Sequence, residues 1–135
     1  MGAALLQRRA AQFFEEQSLT QRVARALADR DFASLREAVA RSQQLTDTHL
    51  NNLVPETRFL PRAAHEIGIG GGAGPCLAAS AFGAGFGGSA YAVVRTAQAE
   101  EFARRWGQAY QAAFPEAAAR SQFFAVRPGP GAFQL

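Results

Sequence analysis

The sequence predicts an α+β domain in which helices cover one face of an antiparallel sheet. Apolar residues recur at helical spacing over most of the chain. Two strand-like apolar runs, residues 77–82 and 89–95, flank a short glycine-rich sequence, which is typical of a hairpin. A further helix and a short strand-like run follow. The order of helices, hairpin, helix and strand favours a small antiparallel sheet with helices packed beside it.

Four helices are expected before the hairpin. The first covers residues 3–18 and is interrupted near its end, and the second covers residues 20–28. The third begins after Asp31, whose short polar side chain is a good N-cap. Pro55 suits the first turn of the fourth helix, because proline has no N–H to leave unbonded there. The apolar faces of the third and fourth helices comprise Phe32, Leu35, Val39, Leu45, Phe59, Leu60, Ala63, Ala64 and Ile67.

The C-terminal third should contain one long helix and one last strand. Residues 96–120 carry four aromatic side chains at four-residue spacing, and Pro115 is expected to divide this helix. Those aromatic residues are Phe102, Trp106, Tyr110 and Phe114. Residues 122–126 read as a strand, and residues 127–132 as a turn-rich tail. No internal repeat is present.

Composition limits the chemistry that the chain can perform. The 135 residues suffice for one domain with a core, and the hydrophobic content of 48% is typical of a globular protein. All basic side chains are arginines, since the sequence contains no lysine. This excludes a Schiff-base lysine and a phosphate-loop lysine. The arginines are scattered among acidic residues, so we expect no nucleic-acid partner despite the net charge of +3.

Cellular location and redox chemistry follow from a few simple features. No apolar run approaches the length of a membrane helix, and the N-terminal charges follow the apolar residues, which is the wrong order for a secretory signal. We therefore expect a cytoplasmic protein with no membrane partner. Cys76 is the only cysteine, so an intrachain disulfide is impossible, and we interpret it as a small core residue.

Several candidate sites can be set aside on the residues that they lack. The glycine-rich stretch at 68–74 has no Gly-Lys-Ser/Thr sequence opening a helix, so we interpret it as a flexible connection and not a phosphate loop. The two histidines, His49 and His65, have no clustered carboxylates, and we expect no metal site. Asp47 beside His49 could form an acid–base pair, although a polar helix end is the simpler interpretation.

The glycine turn between the two predicted strands is the main candidate site. It consists of Gly83, Ala84, Gly85, Phe86, Gly87 and Gly88. Glycine adopts positive φ freely and lets the backbone approach a ligand closely. Exposed backbone N–H groups in such a turn can face anionic oxygens. The alternative is that these glycines serve only the geometry of a tight hairpin.

Three stretches in order resemble the C-terminal part of galactokinases, within the GHMP small-molecule kinase superfamily. Residues 80–89, Ser-Ala-Phe-Gly-Ala-Gly-Phe-Gly-Gly-Ser, are similar to the family's third motif, usually Met-Thr-Gly-Ala-Gly-Phe-Gly-Gly-Cys. Residues 54–57, Val-Pro-Glu-Thr, resemble its Ser-x-Pro-Glu-Leu-Asp segment. Residues 123–132 resemble its closing strand and Pro-x-x-Gly-Ala tail. The resemblance extends over nearly the whole chain.

This resemblance implies a fold, a role and a missing partner. It implies that residues 1–135 form a single GHMP kinase C-terminal domain with a ferredoxin-like antiparallel sheet. It also implies ATP-dependent phosphoryl transfer to the anomeric hydroxyl of galactose or a related sugar, with ATP and Mg²⁺ as cofactors of the intact enzyme. In the family the glycine turn lies beside the phosphates and the sugar, so we carry that role to residues 83–88.

The family's catalytic machinery belongs to an N-terminal lobe that these 135 residues do not contain. The sugar-binding signature and the Pro-x-Gly-x-Gly-Leu-Ser-Ser-Ser-Ala phosphate motif are both missing. We therefore expect no catalytic residue and no bound cofactor in this chain alone, and no activity without the lobe as a partner. Surface that the lobe would cover should be apolar and exposed, so self-association is expected.

Departures from the family pattern keep other functions open. Ser80 and Phe82 replace an Arg and a Thr of the third motif, Ser42-Gln43 stands where Ser-His is common, and Gln12 stands where a His is common. These differences leave the sugar undetermined. A non-catalytic partner or regulator that reuses the lobe is one alternative. A free-standing module that binds a small molecule is another.

Overall fold

A computed structural model describes residues 2–69, 74–83 and 86–129. Helix α1 spans Ala3–Asp29, α2 spans Phe32–Leu45 and α3 spans Pro55–Glu66. Strands β1, Cys76–Ala81, and β2, Ala90–Val94, form an antiparallel pair. Helices α4, Ala99–Ala113, and α5, Pro115–Ala118, follow. A π-helical turn, Thr46–Leu50, extends α2, and a 3₁₀ turn, Thr96–Gln98, precedes α4.

The α+β class, with helices packed on an antiparallel sheet, is confirmed. The described residues contribute two strands to that sheet. The helices contact both faces of the hairpin and not the single face that we expected. Val39 of α2 packs with Ala78 and Val93, whereas Phe102 of α4 lies in a cluster with Ala79 and other residues of the opposite face. Successive strand residues point to opposite faces, so both faces need an apolar cover.

Two expectations about secondary structure are wrong. The break expected in the first helix near residues 15–18 is absent, because Ala3–Asp29 is one continuous helix. Leu19 and Ala26 are buried along one side of it, and this packing keeps the segment helical. Residues 122–126 form no strand. Phe123 instead packs its ring edge-on against Trp106, with ring centroids 5.3 Å apart, so this segment is held by its side chain.

The helix-end signals at Asp31, Pro55 and Pro115 were interpreted correctly. The Asp31 carboxylate accepts a hydrogen bond from the Ser34 N–H at 3.0 Å and caps α2. Pro55 is the first residue of α3, and Pro115 separates α4 from α5. At the start of α3, the Val54 N–H donates to the Thr57 hydroxyl at 3.1 Å. These local bonds set where each helix begins.

Aromatic residues at four-residue spacing on α4 form part of the larger cluster of the core. Phe102, Trp106 and Tyr110 are buried along one side of this helix, and Phe114 continues their line. The Trp106 Nε1–H donates to the Leu60 carbonyl of α3 at 2.9 Å. The bond satisfies the one polar group of a large buried ring and fixes α4 against α3.

Candidate functional site

The predicted glycine turn joins β1 to β2, and four of its six residues lie within the described part of the chain. Ala84 and Gly85 lie outside it. The Phe82 N–H donates to the Ser89 carbonyl at 2.9 Å and closes the hairpin below the turn. Gly87 and Gly88 have φ values of 105° and 111°, which residues other than glycine rarely adopt. Glycine at these two positions is therefore required by the backbone.

The turn meets the first turn of α3. A Cβ added to Gly87 would lie 3.8 Å from Val54 Cγ2, which is ordinary van der Waals contact. An open groove of about 470 Å³ runs between these two segments. Its remaining wall comes from the end of α4 and from α5 and the residues after it. The groove is lined by Val54, Glu56, Thr57, Leu60, Gly87, Gly88, Tyr110, Ala117, Arg120 and Ser121.

Two of the stretches singled out in the sequence therefore come together in space. Residues 54–57 and the glycine turn are about 30 positions apart in the chain, yet both line this groove. The third stretch begins beside it, since Ser121 is a lining residue. The sequence did not identify Tyr110, Arg120 or Ser121 as site residues. Tyr110 was assigned to the core by its spacing, and its position at the groove depends on how α4 packs against α3.

The groove contains groups of both charges. Glu56 lies in the first turn of α3, and Arg120 lies two residues after the end of α5. Burial raises the pKa of the Tyr110 hydroxyl, and the Glu56 charge raises it further, so the phenol stays protonated at neutral pH and can donate a hydrogen bond. Backbone N–H groups at the start of α3 carry the positive end of the helix dipole. These groups can bind a polar or anionic ligand.

Two exposed phenylalanines lie at the turn, Phe82 just before it and Phe86 within it. Phe82 is 64% exposed and Phe86 is 73% exposed, although Phe82 packs edge-on against Tyr91 with ring centroids 5.8 Å apart. Exposed aromatic rings at a glycine turn are typical of a contact surface and not of a free loop tip.

The strand that enters the turn is fixed by one side chain of α2. The Gln43 Oε1 accepts hydrogen bonds from the Ala81 N–H at 2.8 Å and from the Ser80 hydroxyl at 3.0 Å. Its Nε2 donates to the Thr57 carbonyl at 3.2 Å. Gln43 was noted in the sequence only as a departure from the family pattern.

The structure also shows the surroundings of the cysteine, aspartate and histidine residues considered in the sequence. Cys76 is buried, and burial raises the pKa of its thiol to about 11, so it is not a ready nucleophile. Asp47 accepts from Arg58 at 2.7 Å, and the His49 ring bonds to Thr48, so these two side chains have different partners. Burial lowers the pKa of His65, and nearby Arg36 lowers it further. Part of the glycine-rich stretch, residues 70–73, lies outside the described residues.

Searches for metal sites and membrane spans gave negative results over the part of the chain that the structure describes. In residues 2–69, 74–83 and 86–129, no group of three or more His, Cys, Asp and Glu side chains is placed to hold a metal ion. Within the same ranges, no helix combines the length and apolar character needed to span a bilayer.

Comparison with known proteins identifies the family. The family model described as GHMP kinases C terminal matches residues 23–112, about two thirds of the chain. No curated protein and no solved structure matches the sequence. The match begins within the second half of α1, ends near the end of α4, and includes β1, the glycine turn, β2 and α3. The chain therefore belongs to the GHMP kinase C-terminal domain family.

Proposed function

We propose that this chain is the C-terminal lobe of an ATP-dependent sugar kinase resembling galactokinase. The groove between the glycine turn and α3 would form one wall of its active site. The observation that carries this proposal is that Gly87 and Val54 line one groove. It brings the two stretches that most resemble the galactokinase pattern to one groove, as expected if both serve the same site.

The geometry of the groove suits a positioning role. Phosphoryl transfer depends mainly on holding the reactants in line and on stabilising spread negative charge. Backbone N–H groups in the turn and at the start of α3 would face anionic oxygens, and Arg120 would add a positive charge at the groove. Tyr110, Ser121 and Glu56 offer hydrogen bonds to the hydroxyl groups of a sugar.

The groove fits only part of what ATP and Mg²⁺ require. ATP would supply the phosphoryl group and Mg²⁺ would neutralise its charge in the intact enzyme. The turn and the start of α3 offer donors to phosphate oxygens, but among the described residues Glu56 is the only carboxylate that lines the groove. The metal-binding carboxylate and the base that activates the sugar hydroxyl would therefore come from the N-terminal lobe, as the family resemblance implies.

The exposed apolar side chains support a partner on this side of the molecule. Phe82 precedes the glycine turn and Phe86 lies within it, and each exposes more than half of its surface. An N-terminal lobe packed over the turn would bury both rings and exclude water from the groove. Excluding water strengthens every electrostatic interaction inside a site.

The coding sequence before Met1 provides a first test. We expect an in-frame N-terminal lobe with the Ser-Ser-Ser-Ala phosphate motif. An upstream frame that encodes no kinase motif would contradict the proposal and favour a regulator that reuses the lobe.

A coupled ADP-release assay with MgATP and galactose provides a second test. We expect the purified 135-residue chain to be inactive. Sugar-dependent ADP release by this chain would contradict the assignment of the catalytic groups to the missing lobe. Thermal stabilisation by galactose or another metabolite, without a partner, would instead favour a free-standing binding module.

A further inference from the structure

The Gln43 side chain links three segments that are distant in sequence. It lies in α2, accepts from Ala81 and Ser80 at the end of β1, and donates to Thr57 in the first turn of α3. The Ala81 N–H can only donate and the Thr57 carbonyl can only accept. These two partners therefore fix which end of the amide carries the oxygen, and the side chain has one orientation.

The Ala81 N–H needs a partner from outside the hairpin. Ala81 pairs with Ala90, and the next pair, Phe82 with Ser89, is joined by the bond from the Phe82 N–H to the Ser89 carbonyl. Hydrogen-bonded and non-hydrogen-bonded pairs alternate along an antiparallel ladder. The Ala81 N–H therefore points away from β2 towards the open edge of the hairpin, where Gln43 accepts it.

The covalent structure of α3 explains why the Thr57 carbonyl accepts a hydrogen bond from Gln43. Within a helix this carbonyl would receive the N–H of the residue four positions later. That residue is Pro61, which lies inside α3 and has no N–H. Gln43 Nε2 supplies a donor at this position.

Both bonded segments lead directly into the groove. Ala81 precedes Gly83 by two residues, and Thr57 lines the groove together with Gly87 and Gly88. One side chain thus holds the entry to the turn and the first turn of α3 at a fixed separation. Gln43 itself is not among the residues that line the groove.

We propose that Gln43 is a positioning residue that sets the spacing between the glycine turn and the first turn of α3. The proposal rests on the proposed function, since the groove matters only if it is one wall of a binding site. Gln43 would act through Ala81 and Thr57 and would not touch the ligand. Losing it should leave the helices intact and let the turn move relative to Val54.

Gln43→Leu tests this with little change in volume. Amide exchange and NOE measurements on the ligand-free chain should show faster exchange of the Ala81 N–H, on the order of tenfold after losing its acceptor. The NOE between Val54 and Gly87 should weaken. The Phe82 N–H, which bonds to Ser89, should exchange as before. Gln44→Leu is the matched control, because Gln44 is exposed and its side chain bonds to Arg41.

Unchanged exchange at Ala81 together with an unchanged Val54–Gly87 NOE in folded Gln43→Leu would overturn the proposal. If Gln43→Leu fails to fold, Gln43→Glu tests the same proposal. When protonated, the introduced carboxyl group keeps both an acceptor for Ala81 and a donor for Thr57. When ionised, it loses the donor and places a negative charge against the Thr57 carbonyl.

Gln43→Glu should therefore make the groove pH-dependent. The resonances of Val54, Gly87 and Gly88 should shift as the introduced carboxyl group titrates, and they should not shift in Gln44→Glu. Groove resonances that do not shift as this carboxyl group titrates would overturn the proposal. These measurements use no ligand and no second lobe, so their failure is distinguishable from failure of the proposed function, which the upstream coding sequence tests.

Discussion

The two sides of the β-hairpin are held by different kinds of interaction. On the side of α3 and α4, stacked aromatic rings such as Trp106 and Tyr110 fill the space over Ala79 and Ala92. On the side of α2, the apolar cluster is smaller, and two side chains seven residues apart bond the backbone of β1. Arg36 donates to the Cys76 carbonyl at 2.6 Å, and Gln43 accepts from Ala81.

This difference indicates that one side provides the stability of the domain and the other positions the glycine turn. Burial of aromatic area supplies most of the favourable free energy but has little directional preference. Hydrogen bonds contribute less net free energy but fix direction. The α4 side should therefore determine whether the domain folds, whereas the α2 side should determine where the glycine turn lies.

The largest loss of stability should follow Trp106→Ala. The ring is 8% exposed, packs on Phe102 and Phe123, and bonds to the Leu60 carbonyl. We expect a loss of about 4 kcal/mol in the free energy of unfolding, measured by urea denaturation. Phe124→Ala, at a side chain that is 72% exposed, is the control and should change it by less than about 0.5 kcal/mol. Similar losses for both would contradict the assignment of the core.

On the α2 side, a double-mutant cycle should show an effect on the free energy of unfolding that is smaller than that of Trp106→Ala. Pro61→Ala gives α3 the missing N–H and offers the Thr57 carbonyl a donor within the helix. The cost of Gln43→Leu should then be lower in the Pro61→Ala background, by about 1 kcal/mol. Equal costs in both backgrounds, measured by urea denaturation, would show that Gln43 does not compensate for Pro61.

The pH dependence of stability should report on His65 of α3, which is half-buried. Burial and Arg36 lower its pKa below the ordinary value of 6.5, so the unfolded state binds the proton more tightly. Stability is then full above pH 6.5 and is lost as the pH falls towards the folded-state pKa. His65→Gln should remove this loss in urea titrations, whereas His49→Gln should retain it. A loss that persists in His65→Gln would point to other groups.

The smallest effect on stability should come from the N-terminal half of α1, which lies outside the family match. Its apolar side chains Leu6, Phe13 and Phe14 are 53%, 57% and 71% exposed. The double variant Phe13→Ser with Phe14→Ser should leave the unfolding midpoint nearly unchanged. If this stripe drives the self-association that we expect from the sequence, the variant should elute later than the wild type in concentration-dependent gel filtration. An unchanged elution profile would place self-association elsewhere.

Much of the fold follows from periodic patterns in the sequence. The aromatic spacing of α4, the cap at Asp31 and the prolines at 55 and 115 predicted elements that the structure contains. The expected break in α1 failed because burial of Leu19 and Ala26 outweighs the local polar residues. The expected strand at 122–126 failed because Phe123 packs on Trp106 and Tyr110, and these contacts hold the segment without a pairing strand.

The groove could be predicted only in part. The glycine turn and residues 54–57 were recognisable because their sequence is distinctive. Gln43 was not, because its role depends on three contacts across 14 to 38 positions of sequence. Pro61 did carry a usable signal, since a proline inside a helix leaves the carbonyl four residues earlier without its helical donor. The identity of a substitute donor depends on tertiary packing.

The NOE between the Val54 methyl groups and the Gly87 α-protons tests the central claim most directly. The proposed site requires the glycine turn and the first turn of α3 to face each other across one groove. A Cβ built on Gly87 would lie 3.8 Å from Val54 Cγ2, so an α-proton of Gly87 points at this methyl group and an NOE is expected in the wild-type chain at neutral pH. Its absence from a folded chain, with the Trp106 contacts still present, would contradict the groove and the function built on it.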